Sequence, residues 1–435
     1  MTAFNALRFI EKKRDGGCHS AEEFRAFVTE VNNGGVPDYQ IAPWLMAVYF
    51  KGLSDEEIAF FTEALADSGD KVQLPEALLA VDKHSTGGVG DKTTLIVAPI
   101  VAACGVPVAK LSGRGLGFTG GTVDKLESIA GMNVHLETEA FIRQVETIGC
   151  ALSGHSLKLA PAEGKFYALR DVTGTVPSLP LIASSIVSKK IAGGARAFVF
   201  DVKCGSGAFM QSLPEARVLA RQLVSLSERL GRKAVCLISD MDQPLGEWVG
   251  NSVEVLEAVE VLSGRGPADT RDLSLALAAE MLSLAQGISQ EEAMKRCKDV
   301  LSSGEALKKF SEVIAAQGGN PALCSSPSQY LPAAQHTRAI CAEKGGVLSK
   351  LDARSIGEAV RALGGGRLRK EDSIDPSVGI RFLKKRGEAV QAGDPIAEVH
   401  FNQEEQYRSA EPYIIAAIEV TDSATPRPLI LERVE

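Results

Sequence analysis

The sequence predicts an α/β protein: a parallel or mixed sheet carrying glycine-rich phosphate loops, with a helical domain and a small C-terminal α+β domain. Three observations lead there. From about residue 76, short apolar runs alternate with helical stretches (ALLAVDKH, TLIVAPIVAACG, VPVAKL, VDKLESIAG), the pattern of strand–helix–strand units. Residues 1–65 and 161–195 are helical in pattern and interrupt that alternation. Beyond residue 331 the pattern shortens to β-rich runs. The division that follows assigns 1–65 and 161–195 to one helical domain, 70–160 and 196–330 to the α/β domain, and 331–435 to the third.

Taken in order, Ser20-Ala-Glu-Glu opens a capping box, with Phe24, Phe27 and Val28 at helical spacing behind it. Pro37 and Pro43 break the pattern before WLMAVYFKGL, and Ser54-Asp-Glu-Glu opens a further amphipathic helix. ALLAVDKH reads as the first strand, STGGVGDK as its loop and TLIVAPIVAACG as the next helix. VPVAKL, SGRGLGFTGGT and VDKLESIAG repeat the unit. NVHL is expected as a strand before the helix ETEAFIRQVETIG, and CALSG as the strand after it. AFVFDVKCGSGAF and KAVCLISDM are strands around a helix near 214–230. In the last domain ARSIGEAVRALGGGR reads as a helix and turn, and GEAVQAGDPIAEVHF carries the Gly-Asp turn of a hairpin.

Composition narrows the function. The 435 residues suit two or three domains at roughly 150 each, and 45% hydrophobic with 23% charged residues is globular composition. A net charge of -8 argues against a general polyanion binder, and 6% aromatics against a nucleic-acid stacking surface. A small anion on one local positive loop remains open. The longest apolar stretch, Leu95 to Ala109, is interrupted by Pro99, Gly105 and Pro107 and falls short of the roughly 20 residues of a spanning helix. The N-terminus is charged throughout, and eight Cys lack CxxC spacing. The expectation is a cytoplasmic protein with reduced thiols, no zinc site and no membrane contact.

Two Gly-rich loops each follow a strand and precede a helix, so backbone N–H groups and a helix N-terminus face one point, as in phosphate sites. The first adds Lys83, Ser85 and Thr94; the second adds Ser112, Arg114, Thr119 and Thr122. Two near-matches fail on context. Gly115–Gly120 fits GxGxxG but at the second βα turn, and GGVGDKT has Asp91 where a P-loop needs Gly. A third constellation joins Arg170 to Ser185 and Lys189, the last two sharing a helix face. A guanidinium, a hydroxyl and an ammonium suit the carbonyls of a uracil-type ring; the same residues also fit a solvated, salt-bridged helix. No nucleophile elbow or catalytic-metal spacing stands out, as expected if phosphate is itself the nucleophile.

KHSTGGVGDK, SGRGLGFTGGTVDKLES, LAPAEGKFYALRDVTGTV and SLPLIASSIVSKK stand in the order and spacing of one family, and the chain resembles the thymidine/pyrimidine-nucleoside phosphorylases over nearly its whole length. The resemblance implies a homodimeric pentosyltransferase that converts a pyrimidine (deoxy)nucleoside and phosphate to free base and (deoxy)ribose 1-phosphate. It implies Lys83, Ser85, Thr94, Ser112, Thr122 and the Gly87–Gly88 turn around phosphate. It places Arg170, Ser185, Lys189 and His84 around the base, with His84, Arg170 and Lys189 stabilising charge on the departing ring. Closure of the cleft between the two large domains would bring both substrates together.

Three positions depart from that pattern. Phe118 stands where the family usually has His, beside Thr119, and cannot donate or titrate. His155 replaces a common Gln. Lys92 occupies a loop position that is uncharged in many relatives. In some of these, the loop, a stretch matching Leu245–Trp248 and a carboxylate matching Glu257 hold a structural cation. Two readings stay open: a Lys92 ammonium in the place of that cation, paired with Glu257, or an exposed Lys92 with the cation site intact. The first predicts an enzyme with no metal or cofactor, phosphate being a co-substrate. Phe118 leaves two alternatives open: shifted nucleoside specificity, or a catalytically weak nucleoside-binding paralogue.

Overall fold

The structure is a computed structural model and describes residues 4–435 except 76, 116, 157, 368, 370 and 371. Four helices open the chain: α1 (Ala6–Arg14), α2 (Ala21–Asn32), α3 (Asp38–Lys51) and α4 (Asp55–Ala66). Ser20 closes the capping box expected of it, and Ser54 closes another, each accepting from the backbone N–H three residues on. Phe9, Phe24, Phe27, Trp44 and Phe61 pack into one aromatic core. Phe166 of α8 (Pro161–Thr173) and Leu181 of α9 (Leu179–Ala192) complete it, so two segments distant in sequence share one interior. The opposite side of α9 packs Ala183, Ile186 and Val187 against Phe198 and Phe200 of the large sheet.

That sheet contains β1 (Val81–Ser85), β2 (Val108–Ser112), β3 (Cys150–Gly154), β4 (Ala197–Cys204), β5 (Lys233–Asp240) and β13 (Ile430–Val434), in the order β13-β5-β4-β1-β2-β3. All pair in parallel except β13, which returns antiparallel to β5. Helices α5 (Thr93–Ala103), α6 (Thr122–Glu127), α7 (Thr138–Ile148) and α10 (Leu213–Arg229) connect its strands, and α11 (Ser252–Leu262), α12 (Ala268–Gln286), α13 (Gln290–Ser302) and α14 (Glu305–Ala316) follow β5. The chain steps from β1 to β2 and β3 on one side and returns on the other with β4, so its order reverses beside β1. In open α/β sheets, ligands collect at the carboxyl ends of strands at such a point.

One irregularity lies on the other side of β1. β1 pairs five residues with β4, and β2 pairs five with β3, yet β1 and β2 meet in register only at Val81 and Val108. Lysines fill the gap: Lys110 Nζ donates to the Lys83 carbonyl at 2.5 Å, and Lys190 Nζ to the Leu111 carbonyl at 3.0 Å.

Two expected strand features are absent. Asn133–Leu136 (NVHL) forms no ladder; isolated bonds hold it instead, with Gln317 Nε2 donating to the Asn133 carbonyl, the Leu136 N–H to Ser153 Oγ, the Asn133 N–H to the Gln317 carbonyl and the Gly154 N–H to the Val134 carbonyl. The Gly393-Asp394 turn does not close a hairpin. β10 (Ala389–Val390) pairs with β8 (Gly346–Leu351), whereas β11 (Pro395–Phe401) pairs with β7 (His336–Cys341) and β9 (Gly379–Phe382). The turn's backbone bonds Ala342 twice, which ties it to the end of β7. The short strand β6 (Trp248–Gly250) joins this C-terminal sheet through β9. Helix α15 (Pro327–Tyr330) precedes β7, α16 (Ala353–Val360) follows β8, and α17 (Glu404–Ala417) leads into β12 (Ile418–Thr421).

Candidate active site

Loop one turns from β1 into α5 through Gly87 and Gly90, at φ +92° and +75°, angles that glycine adopts without Cβ strain. Ser85 Oγ accepts from the Gly87 N–H at 3.2 Å. A Cβ on Gly88 would press against Met241, so the backbone lies close on the next loop. Lys83 is buried beneath: its Nζ donates to Thr93 Oγ1 at 2.6 Å and lies 3.6 Å from Asp201 and 3.8 Å from Asp91. Burial opposes ionisation of Asp91, but Lys83, Lys203 and Lys125 hold its carboxyl well below the usual range. Thr94 lies in the first turn of α5, where free N–H groups and the helix dipole favour an anion.

Loop two leaves β2 at Ser112, whose buried Oγ has no hydrogen-bond partner. Asp124 of α6 fixes this loop, accepting from the Gly115 N–H at 2.6 Å, Arg114 Nη1 at 3.1 Å and Arg367 Nη1 at 2.8 Å. Thr122 is the first residue of α6. The loops converge: a Cβ built on Gly87 would lie 3.6 Å from Thr119 Oγ1. Ser85, Gly87, Gly88, Thr94, Ser112, Thr119 and Thr122 thus sit on two adjoining loops. Lys83 lies under them, with its ammonium held by protein groups.

His84 is the penultimate residue of β1, near the lysines that fill the gap. Burial, then Lys190, Lys110, Lys189 and Lys83, push its pKa well below the usual 6.5. The imidazole is neutral at physiological pH, so it acts as a hydrogen-bonding group and not as a proton-carrying cation. Lys110 is pushed down to about 7 by burial, against the pull of Asp82. Asp82 accepts from Lys190 at 2.6 Å and lies 3.6 Å from Lys110.

Arg170, Ser185 and Lys189 come together on α8 and α9. The Arg170 guanidinium donates to the carbonyls of Thr175, Leu181 and Val176 at 3.4, 3.1 and 2.6 Å. Ser185 Oγ donates to Glu163 Oε1, and Lys189 Nζ lies 3.0 Å from Glu163 Oε2 and 3.3 Å from Ser185 Oγ. Lys189 also stands 5.5 Å from the centre of the Tyr167 ring. Sequence reasoning missed Glu163. The available signal was its spacing: Glu163, Tyr167 and Arg170 stand at i, i+4 and i+7 on one helical face.

Residues 78–307 match the family described as "Glycosyl transferase family, a/b domain", residues 7–69 its helical bundle domain, and residues 347–421 "Pyrimidine nucleoside phosphorylase C-terminal domain". The chain is 49% identical over 397 residues to the pyrimidine-nucleoside phosphorylase of Staphylococcus haemolyticus, covering 91% of this chain and 92% of that one. It is 47% identical over 398 residues to the enzyme of that name from Geobacillus stearothermophilus, covering 91% and 92%. The chain belongs to the pyrimidine-nucleoside phosphorylase family. Anthranilate phosphoribosyltransferase (TrpD) from Thermus thermophilus shares the fold at 20% identity, with a TM-score of 0.58 over 71% of this chain and 98% of that one.

Within this phosphorylase-family chain the three departures have distinct settings. Phe118 turns toward the C-terminal region, its ring 6.3 Å from that of Phe209 and 5.2 Å from the Arg354 guanidinium. His155 is buried with an unpartnered Nδ1, and burial with Lys190, Lys189 and Lys110 pushes its pKa well below 6.5. Its backbone N–H donates to the Ser112 carbonyl at 3.1 Å, which puts it beside the start of loop two. Lys92 is buried and its Nζ donates to the carbonyls of Leu245 and Trp248 at 2.9 and 2.8 Å and to Glu257 at 2.9 Å.

Proposed function

We propose that this pentosyltransferase catalyses reversible phosphorolysis of pyrimidine (deoxy)nucleosides at the carboxyl edge of β1 and β2. The observation that carries the reading is the convergence of the two glycine loops at Gly87 and Thr119 beside the unpartnered Ser112 hydroxyl. Ser85, Thr94, Ser112, Thr122 and the Gly87–Gly88 backbone hold phosphate, with Lys83 supplying positive potential from below. A phosphate oxygen attacks C1′, the bond from C1′ to the ring nitrogen breaks, and its electron pair leaves with the base. Charge gathers on the base only as that bond breaks, so Arg170, Lys189 and the neutral His84 do most for the transition state. Closure between the helical and α/β parts excludes water, which would otherwise compete with phosphate.

The pairing of Lys92 with Leu245, Trp248 and Glu257 supports an enzyme that works without added potassium. Leu7, Tyr39, Phe50 and Val172 are exposed large apolar residues on helices α1, α3 and α8, and support a homodimer formed through the helical part. Among the described residues no helix is long and apolar enough to cross a membrane. We place the enzyme in the cytoplasm, a reading supported by eight unbridged cysteines.

The test is base release from uridine, thymidine, deoxyuridine and cytidine, with and without phosphate. Pyrimidine release that requires phosphate is expected. Release at the same rate without phosphate, or none from any nucleoside, overturns the reading. The panel also reads how Phe118 affects the choice of sugar and base.

A further inference from the structure

Glu163, Ser185 and Lys189 form a closed triangle whose protons have only one arrangement. An ammonium has only protons to give and an ionised carboxylate only lone pairs to offer. The single Ser185 proton is therefore committed to Glu163 Oε1, and one of the two Oγ lone pairs takes an N–H of Lys189. What Ser185 retains for a ligand is one lone pair. It is an acceptor.

Its neighbours are donors. Lys189 has N–H groups beyond those given to Glu163 and Ser185, and Arg170 has five N–H groups with three engaged by carbonyls. These groups therefore offer a base one acceptor, Ser185 Oγ, alongside donors from Lys189 and Arg170. Uracil and thymine present the complement, a ring N–H between two carbonyls. Cytosine presents a ring nitrogen lone pair there, opposite the lone pair of Ser185, and a site built to pair a polar group strongly rejects an analogue that leaves it unpaired.

We propose that Glu163 is a specificity-determining positioning residue: by holding the Ser185 proton, it confines the base site to pyrimidines with a ring N–H between two carbonyls. The proposal rests on the phosphorylase reading above. Glu163 acts through Ser185 and does not itself touch the base.

The experiment measures kcat/KM for uridine and cytidine, with phosphate, in the parent enzyme, Glu163→Ala, Ser185→Ala and the double variant. The parent should prefer uridine by at least about 100-fold. Glu163→Ala should narrow that ratio about tenfold, because the freed hydroxyl turns its proton toward the cytosine nitrogen, while the cytosine amino group, which still opposes a donor, keeps the rest of the preference. In the Ser185→Ala background, removing Glu163 should leave the ratio unchanged. Equal loss for both nucleosides in Glu163→Ala, or a ratio that moves as much without Ser185 as with it, overturns the proposal. Calorimetric titration of the parent with uracil, cytosine and 3-methyluracil needs no variant and no turnover. Uracil alone should bind; cytosine or 3-methyluracil binding as tightly as uracil also overturns the proposal. Failure of every nucleoside to release base would sink the phosphorylase reading, while the titrations would still decide the role of Ser185.

Discussion

Replacing Lys92 with Met keeps the length of the side chain and removes its charge. Lys92 and Glu257 are both fully buried, and the ammonium serves the Leu245 and Trp248 carbonyls as well as the carboxylate. Breaking a buried pair from one side costs about 3–5 kcal/mol, because the partner stays behind uncompensated. Glu257 keeps its bonds from the Glu247 and Trp248 N–H groups and from Thr270 Oγ1, so the lower end of that range, about 3 kcal/mol, is expected. Urea unfolding at neutral pH measures it. Burial already raises the Glu257 pKa, with Lys92 pulling it back, so the variant's carboxyl titrates higher still. A raised folded-state pKa means the native state binds more protons than the unfolded chain. The penalty is therefore smallest below the unfolded carboxylate pKa and grows as pH rises toward the folded value. Lys92→Thr leaves the two carbonyls and Glu257 around a vacated position, an oxygen set suited to a monovalent cation. Potassium at about 100 times its Kd would restore about 2.7 kcal/mol to that variant, and nothing to the parent. A parent enzyme that loses activity in potassium-free buffer, or a Lys92→Met variant as stable as the parent, would refute the reasoning.

Further outcomes follow from other contacts. Ser112→Ala should raise the KM for phosphate while leaving stability unchanged or slightly improved, since a buried hydroxyl without a partner carries a desolvation cost; a large drop in thermal midpoint with an unchanged KM would contradict this. Lys189→Ala and Arg170→Ala should each lower kcat at least about tenfold, roughly 1.4 kcal/mol of transition-state stabilisation. Arg170→Ala should also lose stability, because three backbone carbonyls lose their donor. His84→Asn should leave the shape of the rate–pH profile near 6.5 unchanged, because His84 is already neutral there. With the folded pKa of Lys110 at about 7 and its unfolded value near 10.4, the unfolded chain binds more protons between them. Stability relative to Lys110→Met should therefore rise with pH across that window, which denaturant titrations at pH 7 and pH 10 compare.

The loops were legible because glycine spacing, hydroxyls and a preceding strand are local signals, and the structure brings Gly87 and Thr119 together as that pattern implies. Pairings across the chain were harder to read. Nothing near NVHL announces that Gln317 and Ser153 would stand in for a ladder, and the Gly393-Asp394 turn has hairpin composition while bonding Ala342, just past the end of β7. The return of Ile430–Val434 to β5 leaves no mark in a local window. Among the charged residues, Arg170 and Lys189 were chosen as ligand donors by their type. The sequence does not disclose that Arg170 also ties down a turn, or that Glu163 partners Lys189, because both facts depend on how α8 meets α9.

The gap between β1 and β2 and the charge of the site are one feature. A continuous ladder would satisfy the carbonyls of Lys83 and Leu111 with backbone N–H groups and leave no opening. Here two lysine side chains take those carbonyls; Lys190 brings a positive charge that backbone N–H groups would not, and Lys110, pushed down to about 7, adds a second as pH falls through that value. Asp82 is the carboxylate closest to both, so this trio retains net positive charge when both lysines are protonated. Low local polarity strengthens that charge and keeps His84 and His155 neutral. An anionic co-substrate and a base leaving with negative charge both gain from such a field. Filling the gap with methylenes, as in Lys190→Met, should thus weaken phosphate binding and slow turnover together, although Lys190 need touch neither substrate.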